Sequence, residues 1–144
     1  MKVFFDTSTL VAALIKVHPA HAQALVHLQR VKAGIDAGLV AAHSLAELYA
    51  ILTSFPIRPR ISPETARRLI QHDVLDILEV VSLSDKDYVT LIDQLSAQGI
   101  AGGATYDALI LQAAAQANAD QVVTLNEKDF RRLRPDLTDR IVHP

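Results

Sequence analysis

Four acidic residues, Asp6, Glu47, Asp107 and Asp129, each stand where an apolar strand ends or a helix begins. An alternating strand and helix chain brings such positions to one pole of its sheet, so the pattern predicts a carboxylate-lined metal site. Clustered carboxylates raise one another's pKa unless a divalent ion neutralises them, and oxygen-only sites with open positions suit magnesium or manganese. The matching chemistry is phosphoryl transfer: ions so held polarise a phosphodiester, stabilise the leaving oxygen and activate a water for in-line attack.

Each acid also has a plain structural reading. Glu47 lies three residues after Ser44, Asp129 three after Asn126 and Asp107 two after Thr105, so each could cap a helix or complement its dipole. Asp6 differs, because it ends the apolar run Lys2-Val3-Phe4-Phe5 and a bare charge there is costly to bury. Helix amides, a basic partner or a cation must compensate it.

The elements that position these residues alternate. Residues 2–5, 39–42, 79–83 and 121–125 read as short strands, with 140–143 as a fifth, edge strand. Helices are expected over 8–16, 20–33 and 44–54. Ser62 followed by Pro63 opens another to about 78, and Ser84 with Asp87 opens one that stops at Gly99. Two more run from Thr105 or Tyr106 to 117 and over 127–133, and the two prolines in Phe55-Pro56-Ile57-Arg58-Pro59-Arg60 mark a loop. Strands separated by helices pair in parallel through right-handed crossovers. The fold class is therefore α/β, a three-layer sandwich around a central mostly parallel sheet of four to five strands. Ligands in such sheets bind beyond the carboxyl ends of the strands. Asp107 reaches that pole only if a loop folds back over the sheet edge. No repeat, low-complexity tract or linker divides residues 1–144, which read as one domain.

Composition narrows the chemistry. With 144 residues, 50% of them hydrophobic, the chain can build a full core. The absence of cysteine excludes disulfides, thiolate metal sites and a cysteine nucleophile, and fits a reducing cytoplasm. A formal charge of −2 argues against broad polyanion binding, so nucleic acid must meet a local basic patch such as Arg67 and Arg68 or Arg131, Arg132 and Arg134. The N-terminus loosely imitates a secretory leader, but Asp6 interrupts its apolar region, and no apolar run reaches the ~18 residues of a membrane span. Among the histidines, His18-Pro19-Ala20-His21 reads as a helix entrance; His43 stands beside Ser44 at the predicted pole and is a candidate for substrate contact. Gly102-Gly103 lacks the lysine and hydroxyl of a phosphate-cradling loop and reads as a turn.

Taken in order, Asp6-Thr7-Ser8, Ser44-Leu45-Ala46-Glu47-Leu48, Tyr106-Asp107-Ala108-Leu109-Ile110 and Val123-Thr124-Leu125-Asn126-Glu127-Lys128-Asp129-Phe130 resemble a PIN domain. The likeness covers essentially the whole chain, and it is to the small VapC-type ribonucleases that act as toxins in toxin-antitoxin pairs. The resemblance implies that Asp6, Glu47 and Asp107 hold metal. Many relatives carry aspartate where this chain has Asn126, so either Asp129 supplies the fourth carboxylate or Asn126 contributes a neutral oxygen. Thr7 and Thr124 match hydroxyls that position water or phosphate, although a hydroxyl at a strand end also serves as a helix cap. The family further implies an endoribonuclease dependent on Mg²⁺ or Mn²⁺, acting on RNA in the cytoplasm without a membrane. It implies inhibition by a cognate VapB-type antitoxin, and a homodimer. Two rivals remain: a noncatalytic PIN-like RNA-binding or assembly module, marked by Asn126, and a phosphatase or receiver-like domain using Asp6 as phosphoacceptor.

Overall fold

No strand is followed directly by a second strand, so the chain has no hairpin with which to pair strands antiparallel. In the computed structural model, which describes residues 1–144, five strands form one wholly parallel sheet. The strands are β1 (Lys2–Phe5), β2 (Ala37–Ala41), β3 (Glu79–Val81), β4 (Gln121–Val123) and β5 (Ile141–Val142), ordered β3-β2-β1-β4-β5. Central β1 pairs with β2 and β4, and Val3, Phe4 and Phe5 are all buried because both sheet faces are covered.

Side chains alternate between two cores. Val3, Phe5, Val40 and Val123 face α1 (Thr7–Leu14), α2 (His21–Lys32), α3 (Ala42–Ser54) and α4 (Pro63–Ile70). Phe4, Leu39, Ala41 and Val122 face α6 (Ala104–Gln116) and α7 (Glu127–Leu133). On that side α5 (Asp85–Gln98) lies outside, packing Leu91 and Leu95 on Ala108 and Leu109 of α6. The expected three-layer α/β sandwich is the one observed, with β5 at the edge.

Several local expectations hold for the reasons given. Ser62 accepts from the Thr65 amide at 3.1 Å, Ser84 and Asp87 form a complete capping box, and Gly99 ends α5 in the left-handed region at φ 69°. Others shift. Helix α3 starts at Ala42, directly off β2, so Ser44 lies buried inside the first turn instead of capping it. The helix expected from Ser62 to about 78 stops at Ile70 and continues as a π turn, Gln71–Leu75, which carries Val74 fully buried into the core.

Asp107 reaches the carboxyl pole by a route other than a loop over the sheet edge. Asp87 pairs with Gln116, and Leu95 packs on Ala108, so α5 and α6 run antiparallel as a helical hairpin. Their connection, Gly99 to Gly103, turns at the pole with Gly99 and Gly102 at positive φ. Helix α6 therefore begins at the pole and carries Asp107 in its first turn. No helix is long and apolar enough to cross a membrane.

Candidate active site

Asp6 sits one residue beyond β1, at the N-cap of α1, and is only 3% exposed. Its Oδ2 accepts from Ser8 Oγ at 2.6 Å and from Thr124 Oγ1 at 2.7 Å. Burial pushes the Asp6 carboxyl above its ordinary range, opposed by those hydroxyls and by the amides of Thr7 and Ser8. Of the compensations expected for this acid, helix amides are present and a basic partner is not; two hydroxyls that were not expected join the amides.

Glu47 enters from α3. The Thr7 hydroxyl donates to Glu47 Oε1 at 3.1 Å and lies 2.9 Å from the buried Ser44 Oγ, whose own proton completes that pair. Thr7 and Thr124, expected to position water or phosphate, are themselves buried and reach carboxylates instead. Thr124 also accepts from the Asn126 amide at 3.0 Å, so its capping and site roles coincide.

Asp107 supplies the electrostatic signature. Burial first, then the charges of Asp6, Asp129 and Glu47, raise its pKa to about 7. Asp6, Glu47 and Asp129 thus all stand near enough to Asp107 for their charges to act on it. Asp107 and Asp129 line one groove of about 560 Å³ with Ile100, Gly103, Ala104, Arg132 and Leu133. Asp129 is largely exposed, with Arg132 3.8 Å away. Asn126 occupies the N-cap of α7 yet makes no side-chain cap bond; its exposed side chain lines the outer groove beside Asp129 and Arg132. The capping readings of Glu47, Asp107 and Asp129 find no side-chain cap bond either.

No three histidine, aspartate or glutamate side chains enclose a common point as a closed cage. That spacing disfavours a dehydrated, zinc-type site, whereas a hard cation such as Mg²⁺ keeps several waters and needs only one or two direct carboxylates. An all-oxygen pole has the donor chemistry for such an ion.

Three contributors were not singled out by sequence reasoning. Ser8 accepts from the Leu125 amide at 3.2 Å while donating to Asp6, tying α1 to the segment after β4. Ser44 braces Thr7. Arg132 was visible only as one member of a basic run. Ser8 and Ser44 had a signal in their places in Asp6-Thr7-Ser8 and Ser44-Leu45-Ala46-Glu47-Leu48. His43, the candidate for substrate contact, lies 3.7 Å from Glu47 through Nε2, and burial lowers its pKa against the pull of Glu47 and Asp6. His18 and His21 are structural: His18 Nδ1 accepts from the Ala20 amide and His21 Nδ1 meets the Ala12 carbonyl.

A parallel sheet with acids gathered beyond its central strands defines the class, and the PIN domain family model matches residues 3–134. This chain belongs to the PIN domain family. Its sequence relatives place it among the VapC ribonucleases. Ribonuclease VapC27 of Mycobacterium tuberculosis is 32% identical over 115 residues, covering 80% of this chain and 78% of its own. Ribonuclease VapC40 of the same species is 33% identical over 105 residues, covering 73% and 72%. The fold is shared with VapBC2 from Rickettsia felis, solved bound to a DNA fragment from its promoter, at TM-score 0.66 and 22% identity over 100% of this chain and 99% of that one. It is shared also with M. tuberculosis VapC20, a Sarcin-Ricin loop cleaving toxin, at TM-score 0.64 and 14% identity over 83% and 86%.

Proposed function

We propose that this chain is a divalent-metal-dependent endoribonuclease, the toxin of a VapBC-type toxin-antitoxin pair, with Asp6, Glu47, Asp107 and Asp129 as its working acids. The observation that carries this reading is Asp107, whose pKa is raised to about 7 by burial and by three other carboxylates. The names of the sequence relatives support the ribonuclease activity.

Mg²⁺ or Mn²⁺ fits the donor chemistry: one or two of Asp6, Glu47 and Asp107 would hold it directly and the others through its waters, with Asp129 at the groove side. When bound, such an ion supplies Lewis-acid polarisation of the phosphodiester and acidity for the hydrolytic water. The protein's own groups do the rest. Ser8 and Thr124 both donate to Asp6 Oδ2, leaving Oδ1 as the oxygen with no hydroxyl donor. Thr7 fixes Glu47. Arg132, exposed on the groove rim, is placed to hold an RNA phosphate. The open groove suits a splayed single strand better than a rigid duplex. An antitoxin would inhibit by setting a cationic side chain, arginine by preference, among these acids in place of metal, and the working species would be a homodimer.

The test compares the unsubstituted chain with Asp6→Asn in cells and in vitro. The unsubstituted chain should arrest growth and cleave RNA with Mg²⁺ or Mn²⁺ but not with chelator, and Asp6→Asn should do neither. Equal cleavage by both proteins overturns the reading.

A further inference from the structure

One polar side-chain atom in the molecule is buried without a hydrogen-bond partner: Nε2 of His43. An unsatisfied buried ring nitrogen is costly, and such atoms persist where function uses them. Its nearest charged neighbour is Glu47, one turn on in α3, whose Oε1 stands 3.7 Å away, just beyond hydrogen-bonding range. Tyr106 of α6 stands beside the ring, with centroids 6.4 Å apart and planes tilted by 33°. The imidazole thus lies between two helices with a nitrogen directed at a site carboxylate that it does not yet touch.

We propose that His43 is a positioning residue that donates Nε2–H to Glu47 and orients its carboxylate when a divalent cation is bound. The inference rests on the metal reading above. Glu47 already accepts from Thr7 at 3.1 Å, so one hydroxyl limits its swing, but its side chain remains 38% exposed and free to rotate. Closing the remaining distance to His43 would satisfy the orphaned nitrogen and freeze the carboxylate in one step. Partners of this kind behind a metal-holding carboxylate characteristically govern ion affinity by fixing ligand orientation. Tyr106, adjacent in sequence to Asp107, links the placement of the ring to the helix that carries a second acid.

The experiment measures Mn²⁺ affinity of the metal-free chain by calorimetry, alongside kcat, KM for RNA and melting temperature, in H43A, H43Q, H43F and E47Q. H43A should bind Mn²⁺ about tenfold more weakly at little change in melting temperature. H43Q, whose amide can donate from a similar place, should recover most of the loss, and H43A should add nothing in an E47Q background. Wild-type affinity in H43A, or a loss that adds fully to that of E47Q, overturns the proposal. So does a defect confined to KM, which would make His43 a substrate contact. Should H43A fail to fold, H43Q and H43F decide: equal affinities overturn the role. Unchanged Mn²⁺ affinity in E47Q overturns the metal reading as well, whereas a weakened E47Q beside an unaffected H43A overturns the His43 role alone.

Discussion

Asp107 stands close to the midpoint of its own titration at neutral pH, with a pKa of about 7. A folded-state pKa raised above the unfolded value means that the folded chain holds this proton more tightly. The associated stability is complete at acid pH and is lost as pH rises through 7. In the metal-free protein, Asp107→Asn should therefore raise the melting temperature by an amount that grows between about pH 4 and about pH 7. Ion affinity of the unsubstituted chain should tighten over the same range, because the ligand must lose its proton, and Asp107→Asn should lose it. The fourth position separates by similar means. Asn126 makes no side-chain bond, so Asn126→Ala should alter stability by less than ~0.5 kcal/mol. Asp129→Asn should weaken Mn²⁺ binding and cleavage without lowering the melting temperature, and Asn126→Asp should tighten binding. Unchanged cleavage in Asp129→Asn would remove that residue from the working set. At this scale the burial of Asp6 was legible from type and position alone, since a carboxylate ending an apolar strand must be compensated where it stands. The hydroxyls were less so. Which acid Ser8, Thr7 or Thr124 serves depends on which helix lies opposite, and spacing along the chain does not carry that.

Among the elements, β2 depends on a residue with no side chain. A methyl group on Gly38 would collide with Leu78 and sit 2.9 Å from Val31, the two residues that close α2 and the π turn over the sheet. Gly38→Ala should cost about 1–3 kcal/mol, measured as a lower denaturation midpoint, because both neighbours are packed in the core. Gly99→Ala should cost about 1 kcal/mol through its left-handed backbone, and should weaken ion binding in proportion to the movement of Asp107. Retained ion affinity in Gly99→Ala would show that α6 holds its own start in place. The strand and helix alternation, the two serine caps and the Gly99 stop were readable because they depend on residues within one turn. The start of α3 was not, because Ala42 and His43 carry no capping signal and β2 passes into the helix without a loop. Nor was the π turn, whose extra residue answers to the core that Val74 must enter.

For the molecule as a whole, ion binding is coupled to folding. Mn²⁺ at 100 times its Kd should stabilise the chain by about 2.7 kcal/mol, visible as a calorimetric rise in melting temperature that chelator reverses and Asp6→Asn abolishes. A rise that survives in Asp6→Asn would place the ion elsewhere. The layered α/β class was legible from alternation, but the order β3-β2-β1-β4-β5 and the helical hairpin bringing Asp107 to the pole depend on contacts between distant segments. The bond from Thr124 to Asp6 spans 118 residues, and Thr9 donates to the Val123 carbonyl across nearly the same interval. Asp6 and the hydroxyl that anchors it thus belong to opposite halves of the described chain. While β4 is unpaired, β1 has an open edge and its acid has no Thr124. The buried carboxylate acquires its partner only with the closing of the sheet.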